Sequence, residues 1–139
     1  MAKAPRAHPQ SSRGLNLALL LDTCILVDLL RGNGAAQRML ASVPERPVIC
    51  AVSDMELLAG ARSQRDEDRI EKLLGLFRRV AVDLPVFRLA GTYIRHYRAS
   101  HALDIPDALI AATAEHHGLA LATRNVKHFP MLDGLKRAY

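Results

Sequence analysis

Asp22, Glu56, Asp104 and Asp107 are the residues of this 139-residue chain whose types and placement could do chemistry. Each stands where an apolar segment begins or ends. Asp22 closes the run Leu17-Ala18-Leu19-Leu20-Leu21, and Glu56 lies within Ser53-Asp54-Met55-Glu56-Leu57-Leu58-Ala59-Gly60. Asp104 and Asp107 open the run Ala108-Leu109-Ile110-Ala111-Ala112-Thr113-Ala114. A carboxylate beside a buried apolar segment is unfavourable unless something compensates it. A divalent cation shared where several such segments end is one compensation. Mg2+ and Mn2+ prefer hard oxygen ligands in octahedral sets completed by water. Carboxylates holding one or two such ions can activate a water and stabilise the charge that develops in phosphodiester hydrolysis. Without the ion, the same packed anions would repel a phosphate.

Each acid also has a purely structural reading. Asp22 can cap the helix that follows it. Glu56 stands in Ser-x-x-Glu spacing from Ser53, which is a capping box. Asp104-Ile105-Pro106-Asp107 is N-cap-like, with Asp104 as the cap and Asp107 three residues on. Spacing alone does not separate these two. Asn125 can be a turn residue, and His116-His117 suit a helix C-terminus, where imidazolium complements the dipole.

The elements that must position these residues follow from the apolar pattern. Leu17–Leu21, Val48–Val52, Val80–Val82 and Leu119–Ala122 read as short strands, the first, second and last buried on both faces. Between them the pattern predicts helices over Cys24–Leu30, with Thr23 as cap, and over Ala35–Ser42. Further helices run from a cap at Ser53 to about Ala61, through the stripe Ile70, Leu73, Leu74 and Phe77, from Pro85 to about Ser100, and over Asp107–His117. Arg31-Gly32-Asn33-Gly34 and Gly118 supply stops. Strands alternating with helices argue for a parallel sheet covered on both faces, with ligands beyond the carboxyl ends of the strands. Asp22, the Ser53–Glu56 turn and Thr123–Asn125 all fall at those ends.

Composition narrows the class. Half the residues are hydrophobic, aromatics are few and Trp is absent, so the core is expected to be Leu, Ala, Val and Ile. No apolar run approaches the roughly 20 residues of a membrane span. Residues 1–15 read as a flexible basic extension ahead of a single domain over 16–139, and the apolar run ending in Asp22 argues against a secretion signal. The net charge is +5, but Lys3, Arg6 and Arg13 supply three of those charges, leaving sixteen bases against fourteen acids. A polyanionic partner is hinted at, with Arg31, Arg95, Arg124 and Lys127 as a candidate basic rim that steers it in. Cys24 and Cys50 fit no zinc spacing and read as reduced thiols. The stripe Leu73, Leu74, Leu76 and Phe77 reads as core or a partner surface.

Four stretches occur together in order: Leu20-Leu21-Asp22-Thr23-Cys24-Ile25-Leu26, Val52-Ser53-Asp54-Met55-Glu56-Leu57, Asp107-Ala108-Leu109-Ile110-Ala111-Ala112-Thr113-Ala114 and Leu121-Ala122-Thr123-Arg124-Asn125-Val126-Lys127-His128-Phe129. With them the chain resembles PIN-domain proteins of the VapC type, the ribonuclease toxins of bacterial toxin–antitoxin pairs. The resemblance covers essentially the whole chain after the extension. It implies a three-layer α/β/α sandwich around a parallel sheet, and Mg2+- or Mn2+-dependent cleavage of RNA. By position it places the family's metal-binding acids on Asp22, Glu56 and Asp107, with Thr23 and Thr123 as supporting hydroxyls. The fourth acidic position falls on Asn125, which brings no charge, and Asp104 is an outer support. It further implies a VapB-type antitoxin that inserts a basic residue among the acids, and a homodimer in the cytoplasm.

The resulting expectation is a metal-dependent endoribonuclease toxin hydrolysing a structured cellular RNA, such as a tRNA or rRNA loop. Two other classes use the same residues: a non-catalytic PIN-like module that binds RNA or protein, and a metal-dependent phosphatase.

Overall fold

The computed structural model describes residues 18–139. The extension over 1–15 and the first two residues of the expected domain lie outside them. Four strands form one parallel sheet: β1 Leu19–Leu21, β2 Val48–Cys50, β3 Arg78–Val80 and β4 Ala120–Ala122, in the order β3-β2-β1-β4. The helices are α1 Thr23–Leu30, α2 Gly34–Ser42, α3 Ala51–Ala59, α4 Gln64–Leu74, α5 Leu84–His101 and α6 Ile105–His116.

Side chains alternate across a strand, so each strand feeds two cores. Leu20, Val48, Cys50 and Leu121 pack with Val86, Ala90 and Tyr93 of α5 and the apolar residues of α6. Leu21, Ile49 and Ala122 point the other way, toward Ile25 and Leu26 of α1, Leu57 of α3, and Ile70 and Leu74 of α4. Helices on both faces of a parallel sheet make the expected three-layer α/β/α sandwich. No helix among the described residues is long and apolar enough to cross a membrane.

Several boundaries differ from the sequence expectation for local reasons. Asp22, not Thr23, is the N-cap of α1, its side chain accepting from Thr23 N. Strand β2 ends at Cys50 and α3 starts at Ala51, so Ser53 lies inside the helix and no capping box forms. Helix α4 begins at Gln64 under a Ser63 cap, and its charged first half is the solvent face of the amphipathic helix. Gly75 ends α4, leaving Phe77 buried beyond the helix and Leu76 half exposed. Strand β3 is Arg78–Val80, two residues ahead of the expected Val80–Val82. Helix α6 starts at Ile105 because Asp104 caps it, accepting from Asp107 N.

Two features of this topology place the site. The sheet order runs outward from β1 in both directions, so the crevice between β1 and β4 is the switch point where α/β sheets bind ligands. Leu21 pairs with Ala122 in the register of that crevice, which sets Asp22 beside Thr123 at the carboxyl ends of both strands.

Candidate active site

Asp22 is 4% exposed, and its carboxylate is held at both oxygens. Oδ1 accepts from Thr23 N at 2.8 Å, and Oδ2 accepts from Thr123 Oγ1 at 2.7 Å. The Cys24 thiol also donates to Oδ2, at 3.3 Å. Burial, with the Asp22 charge beside it, pushes the Cys24 thiol up, so it serves as a neutral donor. The Thr123 hydroxyl accepts in turn from Asn125 N at 2.9 Å. One hydroxyl therefore ties the first acid to the turn that carries Asn125. The Asn125 side chain makes no capping hydrogen bond to the short 3-10 turn Val126–His128 that follows it.

Glu56 reaches the same region from α3. Its Oε1 accepts from Thr23 Oγ1 at 2.7 Å, and Ser53 Oγ lies 2.8 Å from that same hydroxyl. With the Thr23 proton committed to Glu56, Ser53 donates to Thr23. Ser53 is fully buried, and its part in this chain was hidden in the sequence behind a plausible cap. Thr23→Val is expected to destabilise the fold by about 1–3 kcal/mol, because it strands the buried Ser53 hydroxyl. The midpoint of urea unfolding measures this, and an unchanged midpoint would count against the Ser53–Thr23–Glu56 chain.

Asp107, one turn into α6, completes the group. Its Oδ2 lies 3.1 Å from His128 Nδ1. Burial, then the charges of Asp104 and Asp22, push its carboxyl from 3.8 up to about 7; His128 opposes the rise and Glu56 adds to it. Burial also pushes Glu56 up, against the Thr23 hydrogen bond, with Asp22 and Asp104 adding to the rise. Glu56 and Asp107 thus both feel the charges of Asp22 and Asp104. Asp104 is exposed, caps α6 and contributes charge from the edge. The sequence motif containing His128 was visible, but nothing in its spacing linked that residue to Asp107.

The basic residues divide. Arg31 lines a groove of about 450 Å3 beside Glu56, together with Arg62, Arg69 and Asp66. Arg69 spends one guanidinium nitrogen on Leu30 O, at 2.6 Å. Lys127 is exposed in the turn beyond Asn125. Arg95 lies apart, in a hollow on α5 with Arg88 and Thr92 that none of the four acids lines. Arg124 turns inward, its Nε 2.8 Å from Asp28.

Carboxylates such as Glu56 and Asp107, whose ionisation burial and neighbouring acids oppose, are what a hard divalent cation compensates. Among the described residues, no three His, Cys, Asp or Glu side chains converge closely enough to enclose an ion. An open carboxylate group suits Mg2+ or Mn2+, which keep several waters, better than an ion needing a closed protein cage. Asp22, Glu56 and Asp107 offer oxygen donors of the kind such an ion takes.

Comparison with known proteins identifies the family. The chain matches the PIN domain family over residues 19–134. It is 40% identical over 121 residues to Ribonuclease VapC10 of Mycobacterium tuberculosis, spanning 85% of this chain and 90% of that one. It is also 40% identical over 127 residues to Ribonuclease VapC19 of the same organism, spanning 86% and 98%. A solved toxin–antitoxin complex from Klebsiella pneumoniae is similar with a TM-score of 0.72 at 32% identity, covering 88% of this chain and 98% of that chain.

Proposed function

The chain belongs to the PIN domain family, its relatives are VapC ribonucleases, and from that premise we propose that it is the endoribonuclease toxin of a VapBC-type toxin–antitoxin pair, dependent on Mg2+ or Mn2+. The observation that carries this reading is the electrostatic coupling of Asp107 to Asp22 and Glu56 around the β1–β4 switch point, where burial and neighbouring acids push the carboxyls of Glu56 and Asp107 up. A non-catalytic binding module has no need of such a group.

Asp22, Glu56 and Asp107 are the residues that would hold the ion. When bound, Mg2+ or Mn2+ supplies Lewis-acid stabilisation of phosphate charge and lowers the pKa of water. The chain's own residues do the rest. Thr123 and Thr23 N fix the Asp22 carboxylate, and Thr23 fixes Glu56. Glu56 is placed to take the proton of the attacking water as the water oxygen bonds to phosphorus, while the bond to the ribose oxygen breaks and that oxygen takes a proton from solvent water. Asn125 orients polar groups from the far side of the crevice without adding charge. Arg31, in the groove beside Glu56, and Lys127, exposed two residues beyond Asn125, meet neighbouring phosphates of the strand.

The substrate is a structured cellular RNA such as a tRNA or rRNA loop, in the cytoplasm. The partners are a VapB-type antitoxin, whose inserted basic residue satisfies the same acids, and a second copy of the chain. Incubation with total RNA tests the activity directly. Discrete cleavage is expected with Mg2+ or Mn2+ and none with excess EDTA, and restoring Mg2+ should restore it. Equal cleavage in EDTA would remove the metal from the reading. No cleavage under any condition would remove the nuclease.

A further inference from the structure

Asp28 is 5% exposed, and the acids of the site make no use of it. Its Oδ2 lies 2.8 Å from Arg124 Nε and accepts a 2.5 Å hydrogen bond from Tyr139 Oη. Arg124 Nε is shielded from solvent and forms no aligned hydrogen bond, so it meets Asp28 as an ion pair. The three residues come from α1, from the turn after β4 and from the far end of the described chain.

A second contact lies beside them. Ala138 N donates to Thr123 O at 2.8 Å. Ala138 and Tyr139 also pack against the core cluster of Leu21, Ile25 and Ala122. The segment around Tyr139 therefore grips the turn after β4 at two points, the Thr123 carbonyl and, through Asp28, the Arg124 guanidinium. Between those points sits the Thr123 hydroxyl, which donates to Asp22 and accepts from Asn125 N.

We propose that Tyr139, Asp28 and Arg124 form a strut that sets the Thr123 hydroxyl against Asp22, making Tyr139 a positioning residue for RNA cleavage. The proposal rests on the nuclease reading of the site. It also gives the half-buried Arg124 a partner in Asp28 in place of a role on the basic rim. A buried carboxylate needs each of its partners, since removal of one leaves charge poorly compensated. Loss of a group that bonds a metal-binding carboxylate directly, as Thr123 does Asp22, typically lowers activity by about 10–100-fold, and Tyr139 acts through that group, so the low end of the range is expected.

Tyr139→Phe deletes one hydroxyl and changes no charge, which makes it the decisive variant. The expected result is a fall in kcat of about tenfold with KM within about twofold of wild type. Amide hydrogen exchange at Asn125, read without metal or RNA, should be faster in the variant. Arg124→Lys keeps the charge and should lower kcat similarly, leaving the salt dependence of KM unaltered. An Arg124 bound to RNA phosphate would instead raise KM and change that slope by about one if its charge were lost, as in Arg124→Gln. The strut is overturned by a folded Tyr139→Phe with wild-type kcat, by unchanged exchange at Asn125, or by a loss carried in KM. Failure of wild type itself to cleave RNA would strike the nuclease reading, and the exchange comparison would still decide whether the strut holds the turn.

Discussion

Asp22→Asn is expected to lower RNA cleavage by more than about a hundredfold while leaving the fold intact. Loss of an outer support for a metal ligand typically reduces activity by about 10–100-fold, and a ligand's own charge should matter more than its support. Asp22 is the acid that the architecture fixes most completely. Its backbone N donates to Ala122 O at 2.9 Å, continuing the β1–β4 pairing, and both of its carboxylate oxygens are occupied. Asn retains one acceptor for Thr23 N. Its amide hydrogens then face the Thr123 hydroxyl, which can rotate to accept. The substitution therefore removes charge with little disturbance of packing, so circular dichroism should match wild type. Single-turnover cleavage at saturating Mg2+ and calorimetric Mn2+ titration are the measurements. Cleavage within about tenfold of wild type would place Asp22 outside the reaction centre.

The fold was readable because β1, β2 and β4 are continuous apolar runs and two helices carry stops at Gly32 and Gly118; the stop at Gly75 and the strand Arg78–Val80, which is not apolar, were not read. Gly118, at φ +63°, turns the chain from α6 into β4. The acids were readable as candidates for the same reason, since a charge at the end of a buried run stands out. Their roles were less so. Ser53 and Glu56 satisfy the spacing of a capping box, and only the early end of β2 at Cys50 shows that α3 begins at Ala51. Starting there puts Ser53 and Glu56 on the helix face toward Thr23. Asp104 and Asp107 separate once Asp104 is seen to cap α6, which leaves the Asp107 carboxylate free to face Asp22 and Glu56. The pairings of His128 with Asp107 and of Tyr139 with Asp28 join residues 21 and 111 positions apart. No local pattern encodes contacts of that range. The same limit explains Arg124, which reads as a surface base in the sequence but turns inward to Asp28.

Asp107→Asn is expected to abolish cleavage and yet stabilise the metal-free protein at neutral and alkaline pH. Asp107 carries its raised value because burial and three neighbouring acids oppose its ionisation. The folded state binds that proton more tightly than the unfolded chain does. Its contribution to stability is therefore fully present below the ordinary value of 3.8 and is lost as the pH rises to about 7. A shift of roughly three units corresponds to about 4 kcal/mol if felt in full. Partial exposure and coupling to the other acids reduce this to about 1–2 kcal/mol, or a Tm difference on the order of 5 °C. In EDTA, wild type should lose stability from pH 5 to pH 8 more steeply than Asp107→Asn, and the variant should be the more stable at pH 8. Added Mg2+ should reverse the order, because an ion that binds the folded state stabilises it by mass action. Removal of the acid takes away much of that gain. A variant less stable than wild type at pH 8 in EDTA would contradict the crowding of charge at Asp107. The expected crossing follows from one cause: the repulsion that weakens the empty carboxylate group is what makes it bind a cation, so stability and activity are set against each other at this residue.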